Sequence, residues 1–594
     1  MQPEDEAPPT ATIRRPPPRL ARRDDRPPAI VLLLAGWARR IDASLDSVRF
    51  VRAAVAIVAG IVLALGGALA DATIHRGVES GAESPVVRQV SGRDLATNAD
   101  LTRFSPQQLP DVAAALQANG FRFVRQSFAW AEIEPAPGAY VWDRYDAIVE
   151  ELGRRGIVPI AVLHRSPAWA RTAATVDAFD AAPTDPDAYA RFVGAVVARY
   201  GDRLPIVQVW DLPNRADRWA NGPPDPAAYV GLLAMASNAA RAANPNVSVV
   251  LAEFDPAPTP GSAAGDLLFL KRVYAAGAAP FFDVVAARVD GGVRSPFDRR
   301  VTAAAPSLSR AILFRDAMAD AGDAGKPVWA THYGWRFAAP GSAGLTPAEQ
   351  AAWTVAGMER ARAEWPWMGP MFAWGLAPGP DLGGETAPEA ALLGSDGLPT
   401  ALLTALGGFH AAGGDAAAPT GFLPVRARQF VYEGNWSLQH LGAETYRTTN
   451  EVGARLTVRL RGTGVLARVR LSRDAAELEA ALNGRPIQIG LGAFQAADTE
   501  VTLASGLPDT VHELSIRLVE PGQFTIGGIV VERAVPLRWP IVMLIGAGAG
   551  LLAWGLRLLL FTLAERSGRL PRRGGPDVWP ELPQLPDWKP ARRA

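Results

Sequence analysis

FVRQSFAWAEIEPAPGAYVWDRYDAIVEELGRRGIVPIAVLHRSPAWA, residues 123–170, decides the fold. It shares most of one strand-like apolar run, FRFVRQSF (121–128), and contains a second, IVPIAVLH (157–164), with a long connecting run between them. The same alternation continues outward through PIVQVWD (205–211), VSVVLAEFD (247–255), FFDVVAARV (281–289), KPVWATHY (326–333) and GPMFAWGL (369–376). Connecting stretches such as DAYARFVGAVVARYG (187–201) and DPAAYVGLLAMASNAARAANP (225–245) have helical apolar spacing, with an Asp near each start. With a first strand placed near Val86 to Val90, eight βα units fill 86–412. That number of repeated units suits a (β/α)8 TIM barrel, an α/β fold, better than an open doubly wound sheet. No GxGxxG or phosphate-binding loop follows any of the strands, which weakens a nucleotide-binding reading.

Beyond a linker at 413–424 the pattern changes to period two. Leu456, Val458 and Leu460 alternate with Thr457, Arg459 and Arg461, and Leu514, Ile516 and Leu518 with Ser515 and Arg517. Asn483-Gly484 is a hairpin turn signal. Residues 425–535 therefore read as a β-sandwich.

The chain has 594 residues, 60 Lys+Arg against 60 Asp+Glu, and no cysteine. Disulfides, cysteine zinc sites and thiol nucleophiles are excluded, and a neutral chain argues against a general nucleic-acid binder. The neutral total hides a segregation. Ala53 to Ala70 is uncharged and apolar throughout, and Pro540 to Leu563 is broken only by Arg557 near one end, where its stem can snorkel to the interface. Both stretches read as transmembrane helices (53–70 and 540–563), whereas Ala29 to Trp37 is too short to span. Ten arginines stand against seven acids in residues 1–52, and eight basic residues against four acids from Arg557 onward, leaving the region between at net −7. The positive-inside rule places both tails (1–52 and 564–594) in the cytoplasm of a bacterial cell and residues 71–538 outside its membrane. Residues 71–85 read as a linker, and the tails, rich in Pro and Arg, as mostly disordered.

In a TIM barrel, function sits at the carboxyl ends of the strands. There the chain resembles the retaining glycoside hydrolases of clan A, the cellulase and β-xylosidase-like enzymes. The resemblance rests on Arg125 after strand two, the turn from Trp130 to Pro135, and Ser-Pro-x-Trp at Ser166 to Trp169. FVGAVVARYGDRLPIVQVWDLPN (192–214) matches the fourth strand and PVWATHYGW (327–335) the seventh. The resemblance implies a catalytic Glu on each of those two strands. Where the family has Trp-Asn-Glu-Pro-Asn as acid/base, this chain reads Trp210-Asp211-Leu212-Pro213-Asn214. Where the family has Thr-Glu-x-Gly-Trp as nucleophile, it reads Thr331-His332-Tyr333-Gly334-Trp335. A retaining glycosidase needs two carboxyl groups roughly 5 Å apart. Leu212 cannot exchange a proton, and an imidazole at 332 is not the usual partner for an oxocarbenium-like transition state.

No catalytic residue is therefore intact at the family positions. Asp211 and Asp290 are candidate substitutes, with Glu253, Asp255, Asp381 and Glu385 as further carboxylates on neighbouring loops. A one-residue shift along a strand turns a side chain to the other face, so Asp211 would have to lie beyond the strand end. Arg125, Trp130, Trp169, Trp210, Asn214, Trp335 and Trp374 are the candidate sugar-binding residues, the indoles for stacking and Arg125 and Asn214 for hydrogen bonds. Glu132 and Glu134 read as structural. The six histidines lack metal-ligand spacing, and neither metal nor cofactor is expected. The sandwich resembles the jelly-roll modules appended to secreted carbohydrate enzymes, with Tyr432 and Trp436 as sugar contacts or core. The expected function is a membrane-anchored pseudoglycosidase that binds a polysaccharide, with no nucleic-acid partner. The alternatives are an active hydrolase or transglycosylase with relocated carboxylates, and a protein-interaction scaffold.

Overall fold

The computed structural model describes residues 47–82, 94–172, 180–219, 223–256, 265–339, 341–382, 384–414, 416–441, 444–470, 477–488, 498–534 and 538–567. The chain divides into two units. One, Met1–Asp71 with Leu537–Ala594, carries most of two long helices, Ser47–Ile74 and Trp539–Arg566. Both are long and apolar enough to cross a membrane. They pack through glycine: a Cβ on Gly60 would lie 2.6 Å from the Gly548 carbonyl oxygen, closer than any side chain tolerates. Most of each tail, including Ala29 to Trp37, lies outside the described residues.

The other unit, Ala72–Pro536, holds the barrel. Its eight strands are β1 (Leu95–Asn98), β2 (Phe121–Ala129), β3 (Val158–His164), β4 (Ile206–Val209), β5 (Ser248–Val250), β6 (Val285–Asp290), β7 (Val328–Gly334) and β8 (Met368–Ala373). They form one parallel sheet in the order β5-β4-β3-β2-β1-β8-β7-β6. A parallel bridge between Val250 and Val284 closes it, with Leu251 N donating to Val284 O at 2.9 Å and Asp283 N to Val249 O at 2.7 Å. The first strand differs from the sequence expectation. Val86 to Val90 lies outside the described residues, and Leu95–Asn98 takes the place beside β2 and β8. LATN lacks the β-branched run that marks a strand, because a short strand buried on both faces is selected by its neighbours more than by propensity.

Period two divides each strand between two cores. Ala96, Phe123, Ile160, Ile206, Val250, Val284, Ala286, Trp329 and Phe372 fill the barrel floor. The opposite faces join the helices in a larger core, in which Trp130, Tyr189, Phe192, Trp210, Trp219, Tyr229, Phe254 and Phe269 make a run of aromatic contacts. The helices start where the sequence supplies caps. Asp185 accepts from Asp187 N before Pro186–Tyr200, and Asp225 from Ala227 N before Pro226–Ala243, each with Pro in the first turn.

Two antiparallel sheets follow. One runs Phe430–Glu433, Arg455–Gly462, Thr510–Leu518, Leu478–Leu482, Arg485–Ile487. The other runs Ser437–Leu441, Glu444–Thr449, Phe524–Glu532, Gly464–Arg470, Asp498–Ala504, with Gly421–Pro424 also on Phe524–Glu532. They share one apolar core in which Trp436 packs on Phe524 and Tyr432. Asn483, at φ 51°, makes the expected tight turn with Gly484. Arg428 Nε donates to Asp94 Oδ1 at 2.9 Å, fastening these sheets to the barrel.

Candidate functional site

Two residues above the floor on most strands, the barrel interior turns from apolar to polar, with Asn98, Arg125, Gln208, Arg288 and Thr331. Arg125 stands two positions beyond Phe123 and is fully buried. Its Nε donates to Gln208 Oε1 at 2.9 Å, its Nη1 to Asn98 Oδ1 at 3.0 Å and its Nη2 to Asp211 Oδ1 at 3.0 Å. Glu253, past the end of β5, lies 3.8 Å from the same guanidinium. Its Oε2 accepts from Thr331 Oγ1 at 2.6 Å and faces His332 Nδ1 at 2.6 Å, and its Oε1 is 3.0 Å from Arg288 Nε. His332 Nε2 lies 2.9 Å from the Leu382 carbonyl oxygen, a contact that is a hydrogen bond only while that nitrogen carries a proton.

Two backbone irregularities assemble this cluster. The pairing of β6 with β7 skips Thr331, matching Ala287 with Ala330 and Arg288 with His332. This bulge turns the consecutive Thr331 and His332 to Glu253 together. At the end of β4, Trp210 (φ 69°) and Leu212 (φ 48°) are both left-handed, each a strain of order 1–3 kcal/mol for a residue with a Cβ. Alternation from Ile206 and Gln208 would turn Trp210 inward. The left-handed residues instead send Trp210 to the outer core and Asp211 to Arg125.

Charge follows from this geometry. Burial would raise the Glu253 carboxyl, but His332, Arg288 and Arg125 hold it well below the usual carboxylate range. Burial likewise opposes ionisation of Asp211, and Arg125 and His164 overcome it. Burial pulls the His332 imidazole down, against the attraction of Glu253. Asp381, on the hairpin Gly379–Asp381/Gly384–Thr386 that follows β8, is pushed up to about 7 by burial. It accepts from Leu382 N at 2.7 Å and from Thr386 Oγ1 at 3.3 Å. On the β2–β3 side, Ser127 Oγ is 2.8 Å from His164 Nε2, and burial lowers His164 to about 4.

The remaining sequence-selected residues fall in several places. Leu212 is fully buried, and its N donates to Glu253 O at 3.1 Å. Asn214 exchanges two 2.8 Å hydrogen bonds with the Asp255 backbone, tying the loops after β4 and β5, while Arg215 pairs with the Asp255 carboxylate. Asp290 sits one pleat above Arg288 and accepts from Gly292 N at 2.8 Å. Glu385 is exposed on the hairpin.

The indoles divide. Trp130, Trp210 and Trp335 are buried, their Nε1–H groups given to Glu134 Oε2, Arg218 O and Arg294 O. Trp169 is half-buried and donates to Glu134 O at 3.0 Å, so Glu134 holds the loop after β2. Trp374 alone of these five lies against the charged cluster, with His332, Arg288 and Arg336 around its ring. Asn98, Gln208, Thr331 and Arg288 belong to the cluster and were not selected from sequence. For Arg288, counting by two from the apolar Ala286 is a signal that would have found it.

Solved structures with a similar barrel include glycoside hydrolases. A family 39 glycoside hydrolase from the gut symbiont Bacteroides cellulosilyticus is 17% identical, covers 72% of this chain and 81% of its own, and gives a TM-score of 0.42. A glucosidase from Croceicoccus marinus is 14% identical over 74% of this chain and 98% of its own, also at 0.42. GH5_18 from Streptomyces cattleya is 17% identical over 54% and 80%, at 0.40. No family model and no curated protein matches the chain. Likenesses this distant say nothing of activity, so the chemistry rests on the mouth itself.

Proposed function

We propose that this protein is a membrane-tethered glycan-binding protein built on a glycosidase-type barrel that has lost hydrolysis. One observation carries the reading. The two positions that the motifs match to catalytic carboxylates hold a buried leucine, Leu212, and a histidine, His332, whose ring is taken up by Glu253 and Leu382. Two carboxylates of the mouth, Asp211 and Glu253, are each paired with arginine, so neither brings a transferable proton at neutral pH. Burying so many paired charges gains little stability, and a cluster kept at that expense is better explained by recognition. The apolar helices and the arginine-rich tails support two spans with both termini cytoplasmic and the barrel outside.

A second reading, an active hydrolase with relocated carboxylates, draws on Asp381. With its carboxyl at about 7 it retains a proton near neutral pH and could serve as a general acid. Glycan binding and turnover of activated aryl glycosides, measured on the full chain in detergent, separate the two. The first reading expects binding without turnover. The second expects turnover that Asp381→Asn removes.

A further inference from the structure

Trp374 is 3% exposed, and its indole Nε1 has no hydrogen-bond partner among the described residues. A buried N–H without an acceptor costs about 1–3 kcal/mol, so its persistence at a mouth points to a ligand that accepts from it. Two guanidinium groups stand over its ring, Arg336 at 4.5 Å and Arg288 at 5.6 Å from the centroid. With Arg336 this close, the indole supports a cation and has less face to offer a neutral sugar. Arg288 is committed to Glu253. Arg336 is exposed and has no ion pair among the described residues.

The charge balance points the same way. Arg125 and Arg288 are taken up by Asp211 and Glu253, whereas no ion pair among the described residues occupies Arg336 at the rim. A guanidinium over an indole keeps its planar N–H fork available to a partner. That fork fits a carboxylate with two parallel hydrogen bonds, and the ring stacking lowers the entropy lost on binding. Resting on the glycan-binding reading and narrowing it, we propose that the mouth takes an acidic glycan, with a uronic-acid carboxylate received by Arg336 and the Trp374 N–H nearby as a further donor.

The test uses the full chain in detergent and three probes: oligogalacturonate, oligomannuronate and glucuronic-acid-bearing xylo-oligosaccharide. Each is titrated beside the same oligosaccharide with its carboxyl groups reduced to alcohols. At least one acidic probe is expected to bind roughly ten-fold or more tighter than its reduced form, with a preference that weakens as salt is raised. Arg336→Gln should remove most of that preference, Arg336→Lys should keep part of it, and neither should move the unfolding transition. Trp374→Phe, which keeps the ring and deletes the N–H, should weaken the acidic probe more than the reduced one. Equal affinity for acidic and reduced forms, or a preference that survives Arg336→Gln, overturns the acidic-glycan assignment and leaves glycan binding standing. No binding of any probe, acidic or reduced, overturns the glycan reading itself.

Discussion

The floor and the mouth of this barrel are built from the same strands one pleat apart, and they obey opposite rules. At the floor, Phe123, Ile160, Ile206, Trp329 and Phe372 form one apolar layer, in which the Trp329 indole nitrogen has no hydrogen-bond partner among the described residues. About 6.6 Å further along, Arg125, Gln208 and Thr331, with Asp211, Glu253 and His332 just beyond them, are as deeply buried and are joined by hydrogen bonds and ion pairs. The floor is what folding requires. The mouth is what folding tolerates, since apolar residues of similar volume would serve stability as well or better.

The sharpest way to break that contrast is to remove the hub. Glu253→Gln leaves Arg288 without its counter-charge beside His332, with Arg125 held by Asp211 alone, and should cost about 3–5 kcal/mol in denaturant unfolding. A loss under about 1 kcal/mol would mean the mouth is solvated and not a buried network.

The next two effects have opposite signs across one pH window. Asp381 has a folded-state value of about 7 against 3.8 unfolded. Its contribution is complete below 3.8 and is lost as pH rises to 7, at about 4 kcal/mol in the limit. His164, folded at about 4 against 6.5 unfolded, contributes fully above 6.5 and loses about 3 kcal/mol as pH falls to 4. The two oppose each other between pH 4 and 6.5, where His332, also held down by burial, acts with the same sign as His164. Relative to the wild type, Asp381→Asn should make stability rise more steeply with pH there, and His164→Asn less steeply. Parallel profiles for all three proteins would contradict both assignments.

Smaller effects sharpen the contrast from the floor side. Phe372→Leu should cost about 1–2 kcal/mol with the pH profile unchanged, because it packs in an apolar layer. Arg336→Gln should change stability by less than about 0.5 kcal/mol, because the side chain is exposed and unpaired among the described residues.

The floor was legible in the sequence and the mouth only partly so, for a physical reason. Seven of the eight barrel strands follow from apolar runs bounded by helical stretches, since alternation is a local property. Leu95–Asn98 was missed because its sequence is not strand-like by itself. At the mouth, local rules are broken. The left-handed pair Trp210 and Leu212 reverses which residue points inward, and the bulge at Thr331 turns two consecutive residues to one partner. Neither event is written in residue spacing. The tryptophans show the same limit from another side: their positions past strand ends follow from the apolar runs, but whether an indole faces the mouth or the helices depends on these local turns.

The most direct test of the central claim is a paired measurement on the full-length protein in detergent, glycan-array binding alongside turnover of activated aryl glycosides. The account predicts saturable binding to at least one glycan with no turnover above the buffer rate. Turnover that disappears in Asp381→Asn or Glu253→Gln would contradict it and make the barrel a working hydrolase.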